Sequence, residues 1–414
     1  MGLAAFKVRS QRFLRGASEM IWCSRCLMPD TRPRVKFTDR ICNACLYRDE
    51  YEHTDWTARQ LAFRELIDAH RDRGPYDCVV PFSGGKDSAS IAWRLKHDYG
   101  LRPLLATYGQ LLWTGVGRRN LERVCAAGFD IFYWRTDQAV SRKLARRFLI
   151  ERGHPKQHYD SAVNAVPLIT AKKFGIPLVV YAEHGESFYG GHVLSEEHRR
   201  RRDLAEVLEN QVGDDARNWA TDGLTERDLY PYIYPDDVSG IEAVYWSWYH
   251  KWDIYENAKL AKEKMGFEQA RNYWSFERLA AGFAKEWWRS ENPGPSDIIS
   301  SEKWWGKSDG SFEGFDSIDD KIDDLDYYMM HIKFGFGRAS RMASRLIQCG
   351  HLTREQGLEL VRRYDGEYPR SYMKDVLDYV GMSEKELAEL IDEHRNPEIW
   401  EQKDGTWQLR NPPA

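Results

Sequence analysis

Short apolar runs alternate with helix-length stretches through the middle of this chain. Residues 76–82, 102–107, 130–135 and 177–181 are brief apolar runs suited to buried strands, the first of them bounded by Gly74-Pro75 and by glycines. Residues 87–97, 120–127 and 161–174 have helix length and lie between them. This alternation predicts βαβ units: a parallel sheet with both faces covered and right-handed crossovers. Residues 20–55 are short, cysteine-rich and turn-rich. Beyond about residue 235 the pattern is mostly helical and dense in tryptophan. There, Thr353 with Gln356 and Ser383 with Glu386 have capping-box spacing ahead of amphipathic runs. Pro293-Gly294-Pro295 and residues 306–314 read as loops. The expected organisation is an extension over 1–19 without fixed order, a cysteine module over 20–55, an α/β domain over 56–235 and a helical region over 236–414.

Composition narrows the class. The 414 residues are 42% hydrophobic, enough for a sizeable core, and mean hydropathy is -0.66. No run approaches the roughly 18 to 20 apolar residues that span a bilayer. Residues 1–19 carry Lys7, Arg9, Arg12 and Arg15 but no apolar core of a signal peptide. A reducing, cytoplasmic setting away from membranes is expected. Net charge is -4 and the pI about 6.3, which argues against the bulk electrostatics of a nucleic-acid binder.

Four of the seven cysteines form two pairs, Cys23-x2-Cys26 and Cys42-x2-Cys45, separated by fifteen residues. That spacing is a tetrahedral zinc pattern. Four thiolates leave no open coordination position, so the expected role is structural: a staple for a module too small to bury its own core. An iron–sulfur cluster or unpaired thiols are the alternatives.

Ser83-Gly84-Gly85-Lys86-Asp87-Ser88 follows the first expected strand and precedes a helix. Gly84 and Gly85 let the backbone turn tightly and approach a ligand. The helix start offers unpaired N–H groups to an anion. Ser83 and Ser88 add hydroxyls, Lys86 a charge, and Asp87 a cap or a ligand for Mg2+. The spacing is not that of a Walker A loop. A Ser/Gly-rich turn with no ligand is the bland alternative. The hexapeptide resembles the PP-loop of ATP pyrophosphatases, whose HUP-like, doubly wound parallel sheet binds ATP at the carboxyl ends of its strands. Such enzymes cleave ATP between the α and β phosphates. The resemblance makes residues 83–88, Thr107, Glu183 and Gly185 the expected ATP contacts.

A narrower resemblance runs from Met20 to the end, to the N-acetyl sugar amidotransferases of surface-polysaccharide and flagellin-sugar biosynthesis. It rests on the stretch from Trp22 to Pro33 with the second CxxC, on Phe82 to Ser88, and on Ile176-Pro177-Leu178 followed by Glu183 and Tyr189-Gly190-Gly191. Ile318-Asp319-Asp320, Tyr328-Met329, the stretch from Ile332 to Ala339, Thr353-Arg354-Glu355 and Tyr364-Asp365-Gly366 complete it. His184 stands where that pattern has asparagine. The implied reaction adenylates the amide oxygen of an N-acetylated, nucleotide-linked sugar and replaces it with ammonia, giving an acetamidino sugar. The implied cofactors are ATP, Mg2+ and structural Zn2+. Separate subunits, similar to the glutaminase and cyclase of imidazole-glycerol-phosphate synthase, would supply the ammonia. Lys86, Asp87, Asp320 and Lys333 are the expected catalytic residues. A tRNA-modifying PP-loop enzyme, thiolating or lysidine-forming, is the rival reading.

Several other features stay open in the sequence. Asp316, Asp319, Asp320, Asp323 and Asp324 suggest an acidic helix, with Asp316, Asp320 and Asp323 on one face. With Lys333 and Arg338 it would line a substrate or ammonia site, or else be a solvated helix start. Arg199 to Arg202 fit a sugar-nucleotide diphosphate or a solvated face. Trp246, Trp248, Trp252, Trp274, Trp287, Trp288, Trp304 and Trp305 fit core or a sugar-stacking wall. His154, His158, His184 and His192 are alternative general bases.

Overall fold

A computed structural model describes residues 20–268 and 315–414. The extension at 1–19, the loops at 293–295 and 306–314, and Trp274, Trp287, Trp288, Trp304 and Trp305 lie outside the described residues.

In the cysteine module, β1 (Phe37–Thr38) and β2 (Ile41–Cys42) form an antiparallel hairpin that follows the first cysteine pair and ends on Cys42 of the second. The main sheet comprises β3 (Cys78–Pro81), β4 (Pro103–Tyr108), β5 (Asp130–Trp134), β6 (Leu178–Tyr181) and β7 (Glu242–Tyr245). Its spatial order is β5-β4-β3-β6-β7, and every pairing is parallel. The register sets Pro81 beside Ala106 and Tyr181 beside Tyr245. Five strands pointing one way place all their carboxyl ends on one edge.

The interior strands read as continuous apolar runs because both faces are covered. Cys78, Val80, Leu105, Val180 and Val244 pack on one face, with the helices Trp56–His70, Lys86–His97 and Ile254–Met265. Val79, Leu104, Ala106, Val179 and Tyr245 pack on the other, with Gln138–Arg152 and Gln157–Phe174. The second face also receives the C-terminal helices Asp323–Phe334, Met373–Val380 and Glu384–His394. The C-terminal region therefore shares the core of the sheet.

Two findings depart from the sequence pattern. The fifth strand, β7, lies beyond residue 235, in the stretch expected to be helical, and a terminal hairpin, β8 (Trp400–Lys403) with β9 (Thr406–Leu409), lies there too. The acidic stretch is not one helix: the helix begins at Asp323, and Asp320 forms an antiparallel bridge to Trp113. Ser317 has φ 52, a left-handed value that interrupts helical geometry between Asp316 and Asp323. The three carboxylates thus share no helical face. Both expected capping boxes are present, at Thr353 and Ser383.

Candidate functional site

The carboxyl edge of β3 runs through Phe82 into the turn and directly into the helix Lys86–His97, whose N-cap is Gly85. Gly84 has φ +96, a conformation few side chains adopt, and a Cβ there would point at the Trp113 ring at 3.5 Å. The turn opens on a cleft of about 860 Å³. Ser83, Gly85, Lys86, Asp87, Ser88, Glu183 and Gly185 all line it. The helix N-terminus and serine hydroxyls therefore share a space large enough for a nucleotide and a second ligand.

Lys86 is 2% exposed and its Nζ donates to Asp87 Oδ2 at 2.7 Å and Asp316 Oδ1 at 2.6 Å. Burial pulls this ammonium down, but the two carboxylates outweigh it and hold it above its ordinary range. Burial likewise opposes the charged form of Asp316, but Lys86, Arg341 and Arg338 win and hold its pKa at about 2. Asn257 from the helix Ile254–Met265 donates to the other Asp87 oxygen at 3.0 Å.

The segment before the helix Asp323–Phe334 lies along residues 110–117. Thr114 N donates to Asp319 O at 3.0 Å and Thr114 Oγ1 to Ile318 O at 2.6 Å. Gly117 makes this approach possible: a Cβ there would come within 2.7 Å of Asp319 Cα. Asp320 accepts from Leu111 N at 2.9 Å and Leu112 N at 3.0 Å and has no place in the cleft lining. Its geometry is that of a residue that holds a loop. Asp319 lines the cleft and accepts from Gln110 Nε2, which also donates to Ser83 O at 2.8 Å. Burial, reinforced by Asp323, raises Asp319 to about 7. Burial raises Asp320 to about 6 against the pull of Lys156, which is also paired with Asp323. The cations that offset the acidic stretch are therefore Lys86, Lys156 and, at Asp324, Arg338 at 3.1 Å.

Lys333 lines the cleft and donates to Arg152 O at 2.9 Å. Burial lowers it to about 8, against the pull of Asp326. His154, also in the cleft, lies between Asp326 at 2.6 Å and Asp160 at 3.0 Å. Burial disfavours its charged form, but those carboxylates hold it at about 9. The other histidines stand elsewhere. His158 is buried on Ser141 at 3.0 Å, His184 is buried on Ser187 at 2.7 Å, and His192 is half-buried, 3.7 Å from Glu209. Thr107 is fully buried and does not line the cleft, whereas its neighbours Ala106 and Tyr108 do, as strand alternation requires.

Of the four arginines at 199–202, Arg202 lines the cleft; Arg199 stacks on Tyr47 and Arg200 and Arg201 pair with Glu197. Trp246 and Trp252 are core, and Trp248 stacks under Arg59. Glu186, in the rim expected after the last strand, lines the cleft, and so do Arg32, Lys156 and Arg341, which the sequence did not mark individually. Lys156 precedes a helix that the sequence pattern starts only at 161, and Arg32 belongs to the cysteine module.

Cys23, Cys26, Cys42 and Cys45 are buried with their sulfurs within 4.8 Å of one another. Cys23 and Cys45 are 3.9 Å apart, and Cys26 and Cys42 3.6 Å. A tetrahedron with metal–sulfur bonds of about 2.3 Å has edges of about 3.8 Å, so the cluster fits a zinc ion. Main-chain N–H groups of Met28 and Cys42 point at two of the sulfurs, at 3.4 and 3.3 Å. The module forms one wall of the cleft. Arg32 pairs with Glu186 at 3.5 Å, Leu27 N donates to Ser344 Oγ at 3.2 Å, and Thr31 Oγ1 to Phe334 O at 2.5 Å.

No helix among the described residues is long and apolar enough to cross a membrane. No curated protein matches the chain. Residues 309–412 match a family model described as "LPS biosynthesis protein WbpG-like, C-terminal domain". That stretch contributes Asp316, Asp319, Lys333 and Arg341 to the cleft, and its match supports a place for the chain in surface-polysaccharide biosynthesis.

Proposed function

We propose that this chain is a PP-loop ATP pyrophosphatase that converts an N-acetyl group of a sugar destined for surface polysaccharide into an acetamidino group. The observation that carries the reading is the turn at 83–88, placed between the central strand and its helix and open to a cleft shared with the polysaccharide-biosynthesis region.

In the first step the amide oxygen bonds to the α-phosphorus of ATP. The bond from that phosphorus to the bridging oxygen breaks, and its electrons leave with pyrophosphate. The helix N-terminus and the Ser83 and Ser88 hydroxyls receive the departing anion. Asp87, Asp316 and Glu183 are hard oxygen donors of the kind that hold Mg2+, which would neutralise phosphate charge. In the second step ammonia adds to the imidoyl carbon, one proton passes to a base, and AMP leaves with the electrons of its bond to carbon. Lys333 would take that proton, a role supported by its place in the cleft lining and a pKa that burial lowers to about 8, with His154 and Asp326 also in the lining. Asp320 acts by holding the 111–112 turn. No cysteine is among the described cleft-lining residues, which favours ammonia from solution or a separate glutaminase over a sulfur relay in this cleft.

The test is exchange of labelled pyrophosphate into ATP. Exchange that requires an N-acetylated nucleotide sugar supports the reading. Exchange that requires tRNA instead moves the protein to RNA modification, and no exchange with either removes the adenylation step.

A further inference from the structure

The loop lysine leaves a charge problem. Lys86 is bound to two carboxylates, so the turn meets an anion with neutral donors and a helix end rather than with a free cation. Pyrophosphate is strongly anionic and needs more.

The helix Arg338–Gln348 aligns Arg338, Arg341 and Arg345 along one side, at i, i+3 and i+7. Arg338 is tied to Asp324 at 3.1 Å. Arg345 is buried beneath Phe188, with its guanidinium 4.6 Å from the ring centre, and donates to Gln348 at 2.7 Å. Of the three, Arg341 lines the cleft. Its guanidinium lies 4.4 Å from the Tyr189 ring centre and 5.6 Å from that of Tyr327, and it donates to the Tyr327 hydroxyl. Among the described residues it has no ion-pair partner, whereas Lys86 and Arg338 have theirs. Burial disfavours its charge, yet the field of Tyr327, Tyr189, Asp316 and Glu183 keeps it protonated. Two of those groups flank the turn: Asp316 holds Lys86, and Glu183 ends the rim after β6. An oriented guanidinium without a carboxylate is suited to bidentate phosphate binding, and the two rings hold its plane in advance.

We propose that Arg341 is a phosphate-binding residue that completes the anion site begun by residues 83–88, gripping the pyrophosphate half of ATP with a guanidinium supplied by the C-terminal region. This rests on the adenylation reading. Tyr327 and Tyr189 are positioning residues for its guanidinium. The C-terminal region then supplies charge to the nucleotide as well as surface to the sugar.

The test is calorimetric titration of the full-length protein with magnesium pyrophosphate and, separately, AMP. Arg341→Gln keeps most of the side-chain stem and should weaken pyrophosphate roughly ten- to a hundredfold while changing AMP affinity little. Arg341→Lys should recover part of the loss, since it restores charge without the fork. Tyr327→Phe, which keeps the ring, should weaken pyrophosphate by less than Arg341→Gln. Equal pyrophosphate affinity in wild type and Arg341→Gln overturns the assignment of Arg341. Wild-type protein that binds neither ligand overturns the adenylation reading itself, and a parallel loss of AMP and pyrophosphate affinity in Arg341→Gln shows general damage to the cleft and counts against a phosphate role.

Discussion

At the scale of single residues, the site is governed by buried charges that have found partners. Lys86 stabilises Asp87 and Asp316, and removing it strands two carboxylates. Breaking a buried pair of this kind costs about 3–5 kcal/mol. Lys86→Met should therefore lower the denaturation midpoint, and adding Asp316→Asn should recover part of the loss. A double-mutant cycle by chemical denaturation measures the coupling, and additive effects would show that the pair is energetically independent. Asp319 gives a pH signature of opposite kind. Its pKa rises from 3.8 to about 7 on folding, so the folded chain binds a proton more tightly than the unfolded one. Its contribution favours the fold at low pH and is lost as pH rises between about 4 and 7. Asp319→Asn should flatten the slope of melting temperature against pH in that window. An unchanged slope would assign the pH dependence to Asp320 and Asp323 instead.

At the scale of elements, close backbone approach decides more than propensity does. Alanine is favoured over glycine inside a helix by about 1 kcal/mol. Gly117 should reverse that sign, because its added Cβ would meet the Asp319 backbone at 2.7 Å and push back the segment that carries Asp316. Gly117→Ala should thus destabilise the fold and weaken ATP binding together; a more stable variant with intact binding would contradict the docking of 316–320 on 114–117. Elements like this one also mark what was legible in the sequence. Four strands, the turn at 83–88 and both capping boxes follow from local pattern. β7 escaped because it is four residues long and runs straight into the aromatic stretch Trp246–Tyr249. The acidic stretch misled because its spacing mimics a helical face, whereas its carboxylates are held by groups distant in sequence: Lys86 at Asp316, the main chain of 111–112 at Asp320 and Lys156 at Asp323. Arg32, Lys156 and Arg341 were not individually legible because only tertiary contacts bring them into the cleft.

At the scale of the whole molecule, the sheet is a platform on which three sequence regions meet: the cysteine module, the α/β core and the C-terminal helices. The module contributes Arg32 to the cleft and is tied to the C-terminal region at Ser344 and Phe334. A metal in the cysteine site therefore braces one wall. Elemental analysis should find about one zinc per chain, as four closed thiolate ligands imply. Chelation should increase amide exchange at residues 31–34 and 185–191 ahead of the central strands. Uniform exchange throughout would make the metal a global staple instead.

The adenylation and amination of an N-acetyl sugar are tested most directly by the products. The full-length protein, ATP, Mg2+ and ammonium are incubated with a panel of N-acetylated nucleotide sugars, and AMP, pyrophosphate and sugar mass are followed together. The expected result is AMP and pyrophosphate in equal amounts with a sugar in which NH has replaced one amide oxygen. ADP with phosphate, or AMP formation with every sugar mass unchanged, would contradict it.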